Sequence, residues 1–358
     1  MEIKKEELKI YLEKKYSRTI SNLKVDKLGS GIVGTGYLVT FLSRKQKFRL
    51  ILKSLRKEGL RHDYLSDRAS SLIQAHSDYN LLPNHIHSQD VLVENVSGSL
   101  NSLGNAKEFY ILMDEAKGKD FGKILGEVKN TGELNAEIKK KILCISDWLV
   151  EIHKNKHVSS SLYRRKISDT FGGNGSIMEL LSIYPENAFI EYSSEWLNIL
   201  GFNLRFFALS RKLEHRLCEV HGDLHPGNIW FDEDKLIILD RARGRYGEPA
   251  DDIVAFVINL ILYSLVSSGD FSGNFKELFA LFWNNYFQKT GDREMRKIMS
   301  PFFAFRIAVI TNPIILDDNF FGGKEKAKKI RQQLINFALH ISKEKEFCPE
   351  KILHYLSS

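Results

Sequence analysis

The sequence predicts an α+β chain in two unequal parts: an N-terminal antiparallel sheet with one helix, then a larger, mainly helical part interrupted by one β-hairpin. Three observations carry this. Residues 25–53 run strand, glycine-rich loop, strand, turn, strand. Residues 217–240 hold two short apolar runs around a polar turn. From Asn135 onward, apolar residues otherwise recur at helical spacing. The parts are expected over 1–113 and 119–358, joined by a hinge over 114–118.

Met1 to Lys15 alternates charged residues with Ile3, Leu8, Ile10, Tyr11 and Leu12, the pattern of a short amphipathic helix without the apolar core of a secretion signal. Next comes Gly29-Ser30-Gly31-Ile32-Val33-Gly34-Thr35-Gly36. Glycines at this density let backbone N–H groups approach phosphates, although Gly29, Gly31 and Gly34 alone also fit dinucleotide folds and ordinary turns. A dinucleotide unit needs a helix next, whereas Tyr37 to Leu42 is β-branched and aromatic, Ser43 to Lys47 turns, and Phe48 to Lys53 is another strand. Gly29, Ser30, Gly31 and Gly34 are therefore candidate nucleotide-binding positions. Lys53, 24 residues after Gly29, is placed to meet the α- and β-phosphates.

Asp67 to Tyr79 reads as a helix, with Leu72, Ile73, His76 and Tyr79 near one face and Pro83 beyond its end. It offers no glutamate to pair with Lys53. Asp67 is the candidate, with Asp63 and Asp78 behind it; an acid favoured at a helix start by the macrodipole is the other reading of Asp67. Val91 to Val93 and Phe109 to Met113 read as strands separated by a Ser/Asn/Gly-rich loop from Ser97 to Asn105. Backbone around Asp114 and Ala116 is the candidate site for an adenine edge, with Met113 either beside the base or in the core.

In the second part, Ile142, Ile145, Leu149 and Ile152 mark a core helix, with Trp148 alongside. His153 and His157 near its end are expected to be caps. Gly172 to Gly175 reads as a turn, bordering a substrate pocket or serving as a plain loop.

The most informative run is Val220-His221-Gly222-Asp223-Leu224-His225-Pro226-Gly227-Asn228-Ile229, with Asp240 twelve residues beyond Asn228. Histidine, one residue, aspartate, four residues, asparagine is the catalytic-loop pattern of the protein-kinase superfamily, with Gly222 where arginine is usual. A hydroxyl attacking the γ-phosphate of ATP needs a carboxylate to align it, and the phosphate charge needs magnesium in fixed geometry. Asp223 supplies the first; Asn228 and Asp240 supply the second. Ile229 to Phe231 and Leu236 to Leu239 are strands around a turn at Asp232 to Lys235, so the hairpin returns Asp240 beside Asn228.

Composition bounds the rest. With 358 residues, 43% hydrophobic and 27% charged, the chain is long enough for two folded lobes. Cys144, Cys218 and Cys348 are odd in number and scattered, which predicts reduced thiols and a cytoplasmic protein. The longest apolar run, Ile253 to Val266, has 14 residues and contains Asn259, too short for stable membrane insertion, and is expected as a buried helix. The net charge of +7 comes with no nucleic-acid motif; its lysines alternate with acids or cluster near the ends, so no nucleic acid is expected as a partner.

On these residues the chain resembles the aminoglycoside phosphotransferase and choline kinase family, the small-molecule branch of the protein-kinase-like superfamily, and bacterial members outside the drug-resistance enzymes most of all. His221 to Asn228 is close to that branch's usual motif, as is Gly247-Glu248-Pro249-Ala250-Asp251-Asp252-Ile253. The resemblance runs from the glycine loop to about Val266. It implies a two-lobe fold, ATP with Mg2+ and phosphorylation of a small-molecule hydroxyl, with Asp252 bracing the catalytic loop and His221 and His225 supporting it.

Two departures stand out. Asp240 is followed by Arg241-Ala242-Arg243, whose arginines either steady phosphate or an anionic acceptor, or pair with Glu248 and Asp251. The N-lobe helix also lacks its glutamate. These motivate a nucleotide-binding regulator without turnover as the alternative. A protein kinase is disfavoured because no Ala-Pro-Glu segment follows Asp240. Residues 253–358 hold 14 Lys plus Arg against 10 Asp plus Glu, a net +4, where a polycationic antibiotic calls for an acidic pocket.

Overall fold

The structure, a computed structural model, describes residues 4–30, 34–57, 62–80, 86–104, 106–107, 115–172, 176–241 and 243–357. Gly31, the strand expected at Phe109 to Met113, Asp114, Ala242, Gly173 to Gly175 and the side chain of Asp78 lie outside the described residues. The chain divides into two compact units, Met1–Met113 and Asp114–Ser358.

In the first unit, α1 (Lys5–Tyr16) precedes β1 (Ser21–Ser30), β2 (Gly34–Ser43) and β3 (Gln46–Leu55), an antiparallel sheet in chain order. Strand alternation decides its faces. Val39 and Phe41 are buried with Leu8, Tyr11 and Leu12 of α1, and Phe48, Leu50 and Leu52 of β3 pack onto them. Ile51 and Lys53, at intervening positions of β3, are exposed. Arg44 and Lys45 turn the chain at φ 49° and 65°, closing the Ser43–Gln46 pair.

α2 (Leu65–Tyr79) begins two residues before Asp67. The stretch expected to be a loop from Ser97 to Asn105 contains a strand: β4 (Leu92–Glu94) pairs with β5 (Leu100–Ser102). Polar chemistry makes that return. The Asn95 side chain accepts from the Ser99 backbone N–H at 3.0 Å, closing the turn. Asp90 accepts from Ser102 Oγ at 2.8 Å, Gly104 N at 3.1 Å and Lys15 Nζ at 3.0 Å, and from the Tyr11 hydroxyl, tying the hairpin to α1.

The second unit opens with β6 (Lys119–Asp120) and α3 (Phe121–Thr131), neither expected from sequence. Phe121, Ile124, Leu125 and Val128 do carry a helical stripe, but Gly122 and Gly126, poor helix formers, interrupt it. Asp120 caps the helix by accepting from Lys123 N at 2.8 Å. α4 (Ala136–His153) is capped by Asn135 and buries Ile142, Ile145 and Leu149 as the stripe predicts. α5 (Ser160–Phe171), α6 (Ser176–Ser182), α7 (Glu186–Asn203) and α8 (Arg205–Ser210) follow, then β7 (Cys218–Glu219), β8 (Ile229–Asp232), β9 (Lys235–Ile238) and β10 (Tyr246–Gly247). β6, β8 and β9 form one antiparallel sheet; β7 pairs with β10.

The core of this unit is α9 (Pro249–Ser268), longer than its 14-residue apolar run. It is the one described helix long and apolar enough to cross a membrane, and 89% of its most apolar window is buried within the structure. Around it pack α3, α10 (Gly273–Thr290) and α11 (Met299–Thr311). α12 (Asp318–Phe321), α13 (Lys324–Lys343) and α14 (Ile352–Leu356) complete the unit.

Candidate active site

The segment between β7 and β8 is held by buried polar groups. Asp252, fully buried near the start of α9, accepts from the backbone N–H of His221 at 2.7 Å and of Gly222 at 2.6 Å. Burial alone would raise its carboxyl; the hydrogen bond and charge of His153, with the amide and charge of His221, bring it net below the ordinary carboxylate range. The His221 ring bridges the loop to the hairpin: Nε2–H donates to the Leu239 carbonyl at 2.7 Å, and Nδ1 accepts from Asp223 N at 3.2 Å. His225 Nδ1 accepts from Gly227 N at 3.1 Å, capping the single turn Pro226–Asn228.

Gly222 has a structural reason. Its φ is 86°, and an added Cβ would stand 3.2 Å from Arg243 Cβ.

Asp223 follows, with its carboxylate between two arginines. Arg306 donates to Oδ1, and Arg243 Nη2 lies 3.1 Å from Oδ2. Burial pushes this carboxyl up, but Arg306 and Arg243 outweigh it and leave it below the usual range. Asp223 is therefore a carboxylate across the neutral range, suited to orienting a hydroxyl.

Asn228 is buried, and its Nδ2 donates to the Asp223 carbonyl at 3.0 Å. β8 and β9 pair from Ile229–Ile238 outward, and Leu239 N donates to the Asn228 carbonyl at 2.9 Å, so the hairpin does bring Asp240 back beside Asn228. Asp240 is exposed, with φ 57°, a left-handed conformation that costs a non-glycine residue energy and marks sites where side-chain direction matters. Its carboxylate has no hydrogen bond or ion pair among the described residues. With the Asn228 amide nitrogen committed, its oxygen and the Asp240 carboxylate are hard oxygen donors of the kind magnesium takes, alongside phosphate oxygens and water. The pair fits that ion. Trp230, half-buried at the start of the hairpin, donates from Nε1 to the Gly227 carbonyl at 3.2 Å.

Several expectations need correction. Arg241 and Arg243 do not pair with Glu248 and Asp251. Arg241 donates to the Val220 carbonyl at 2.8 Å, the Glu219 carboxylate at 3.0 Å and the Arg245 carbonyl at 2.9 Å, so it braces the loop from behind. Arg243 goes to Asp223. Glu248 is buried with Arg216 and Tyr163, and Arg216 also binds Asp292. His153 is no cap: it is buried between the Tyr286 hydroxyl at 2.7 Å and Asp252 at 3.2 Å. His157 is exposed and stacked on Tyr246.

Sequence reasoning missed Arg306. Besides Asp223, it reaches the Gly222 carbonyl at 3.0 Å and Asp251 at 2.6 Å from the middle of α11. The signal was available: it is the single charged residue in the apolar run Met299–Thr311, and a buried lone arginine must find carboxylates. Lys166 of α5 was missed too. It is buried, donates Nζ to the Arg243 carbonyl at 2.5 Å, and burial pushes its ammonium below the ordinary lysine range.

Asp223, Arg243 and Arg306 line a cavity of about 600 Å³. Its walls come from α9 (Ile258, Leu262, Tyr263), α11 (Val309, Ile310) and α12 (Phe320), with Asp120, Lys123 and Asn259 among its polar lining.

The candidate nucleotide residues lie in the first unit. Gly29 pairs with Gly36 and Ser30 with Thr35, whose hydroxyls meet at 2.9 Å. Gly34 is required by the sheet itself, because a Cβ there would run into the Ser54 carbonyl. Lys53 pairs in register with Gly36 and is exposed. Asp67 Oδ2 accepts from Tyr64 N at 2.7 Å, the position of a helix-start acid, and no ion pair joins it to Lys53 among the described residues. Ala116 is described in an irregular segment before β6.

No protein-family model matches the chain, and no curated protein matches it. Solved structures do. A spectinomycin phosphotransferase in complex with ADP and spectinomycin matches at 16% identity and TM-score 0.31, covering 99% of this chain and 98% of that one. A choline kinase from Cryptosporidium parvum matches at 12% identity and TM-score 0.36, covering 93% and 91%. An aminoglycoside phosphotransferase in ternary complex with ADP and hygromycin B matches at 11% identity and TM-score 0.38, covering 94% and 99%. Scores this low carry no argument about substrate, nucleotide or metal.

Proposed function

We propose that the chain is an ATP- and Mg2+-dependent phosphotransferase that moves the γ-phosphate to a hydroxyl of a small molecule. The observation that carries it is the Asp223 carboxylate, fixed between Arg243 and Arg306 at a cavity, with Asn228 and Asp240 side by side on the adjoining hairpin. Asp223 accepts the acceptor's O–H and points its oxygen at the γ-phosphorus. As the new O–P bond forms, the bond to the β-phosphate oxygen breaks, ADP leaves, and the proton passes through Asp223 to solvent. A carboxylate held below its usual pKa is a weak base, which suits a loose transition state that asks for alignment more than proton abstraction.

Asn228 and Asp240 would hold magnesium, which offsets phosphate charge when bound. Arg243 keeps Asp223 oriented. Gly29, Ser30, Gly31, Gly34 and Lys53 would take the phosphates, and backbone near Asp114 and Ala116 the adenine. Three free cysteines support a cytoplasmic setting.

The test is magnesium-dependent ADP release across sugars, amino alcohols, nucleosides and apolar alcohols, comparing wild type with Asp223→Ala. Acceptor-stimulated release lost in the variant is expected; equal release from both proteins would remove Asp223 from the chemistry. A second reading, a nucleotide-binding regulator, draws on Asp67 accepting from Tyr64 N at its own helix start, with no ion pair between Asp67 and Lys53 among the described residues. Sustained Asp223-dependent ATP consumption excludes it.

A further inference from the structure

Lys166 of α5 is a buried cation beside the Asp223 loop to which the phosphotransferase chemistry gives no task. Its stem crosses Gly247, where an added Cβ would stand 3.1 Å from Lys166 Cε and 3.2 Å from its Cγ. Its ammonium ends between two loops, 3.3 Å from the place of a Gly222 Cβ and 2.5 Å from the Arg243 carbonyl. A hydrocarbon side chain would fill the same space without desolvating a charge, so the bond to that carbonyl is what the lysine adds.

Arg243 stands where no regular element locates its backbone. β9 ends at Ile238 and β10 begins at Tyr246, and Gly244 follows Arg243 at φ 89°. Among the described residues, the Arg243 carbonyl accepts from Lys166 alone. From that backbone the side chain lies over Phe305, its guanidinium carbon 5.1 Å from the ring centroid, and places Nη2 3.1 Å from Asp223 Oδ2.

We propose that Lys166 is a positioning residue: its ammonium anchors the Arg243 carbonyl and so sets the Arg243 guanidinium on Asp223. The catalytic consequence rests on the phosphotransferase reading. With the anchor removed, the guanidinium moves off Asp223, which then keeps only Arg306, a side chain shared with Asp251. An arginine fork holds a carboxylate by direction as well as by charge. A displacement of about 1 Å at a group that aligns a reacting hydroxyl can lower the rate by about a hundredfold.

The test compares full-length wild type, Lys166→Met, Arg243→Met and the double variant by crystallography and by magnesium-dependent ATP hydrolysis, with water as the acceptor. Methionine keeps a stem over Gly247 and removes the donor, so the melting temperature should change little; Lys166→Leu, read in the same way, replaces it should it not fold. In the Lys166 variant, Arg243 Nη2 should lie beyond about 4 Å from Asp223, the limit of an ion pair. Its kcat should fall about tenfold or more with KM for ATP unchanged. The double variant should lose no more than Arg243→Met alone, whereas a merely structural lysine would add its own loss. An ion pair still in place, or losses that add, overturns the proposal. Arg243 displaced in a protein whose wild type releases no ADP with water, sugars, amino alcohols or nucleosides would uphold the anchor and sink the phosphotransferase reading. Hydrolysis by wild type with Arg243 unmoved in the variant would do the reverse.

Discussion

The loop carrying Asp223 is held by two carboxylates, Asp223 and Asp252, each tied from several sides, whereas the glycine-rich segment around Gly29 and Gly34 is defined by backbone pairing. Asp252 takes two amides and a histidine; Asp223 takes two arginines. Gly29 and Gly36 have open space where a Cβ would go, and Lys53 is exposed. Chemistry that depends on direction has been given buried charge to fix it. Positions expected to meet phosphates through N–H groups need only a strand to present them. The two regions should therefore answer substitution differently.

The largest effect is expected at Asp223. Asp223→Asn should lower kcat by about a hundredfold or more in a coupled ADP assay, with a melting temperature close to wild type because Arg306 keeps Asp251.

Next comes Arg306→Met, which leaves Asp251 buried without its cation. Urea denaturation should show a loss of about 3–5 kcal/mol. Half-exposed Arg243 separates charge from folding. Arg243 helps hold Asp223 low, so the ionised carboxylate persists to lower pH in wild type. Arg243→Met should move the acidic limb of the kcat profile to higher pH, and an unmoved limb would show that Arg306 alone sets it.

Smaller again is the glycine contrast. Gly222→Ala, at φ 86°, should cost about 1–2 kcal/mol, while Gly29→Ala should stay within about 0.5 kcal/mol. Equal costs would break the comparison between the two loops.

A pH-dependent effect concerns Asp90. Burial would raise this carboxyl, but the Tyr11, Lys15 and Ser102 contacts lower it to about 2. An unfolded aspartate titrates near ~3.9. The stabilisation is therefore full above that value and lost as pH falls through about 2. Asp90→Asn should destabilise at neutral pH and lose that penalty in strong acid, seen by urea midpoints at both.

Much of this was legible in the sequence because it is local. The run His221 to Asn228 and the return of Asp240 are fixed by spacing and strand pairing within twenty residues. The β1–β3 meander followed from residue types. Long-range partners were not legible: Arg306 and His153 reach the loop from 83 and 99 positions away from their aspartates. No periodicity reports such a meeting, although a single arginine inside an apolar helix asks for one. Local polarity misled twice, at the 97–105 stretch, where side-chain hydrogen bonds close a hairpin, and at α3, where two glycines broke the stripe.

The bond from Trp230 to the Gly227 carbonyl has a practical consequence. An indole two positions from Asn228, hydrogen-bonded to the turn that carries it, is an optical probe built into the chain. Titrations with magnesium and ATP, the ligands proposed for this site, can be read by its fluorescence without any label, with Trp230→Phe as the blank against which Trp148, Trp196 and Trp283 are subtracted.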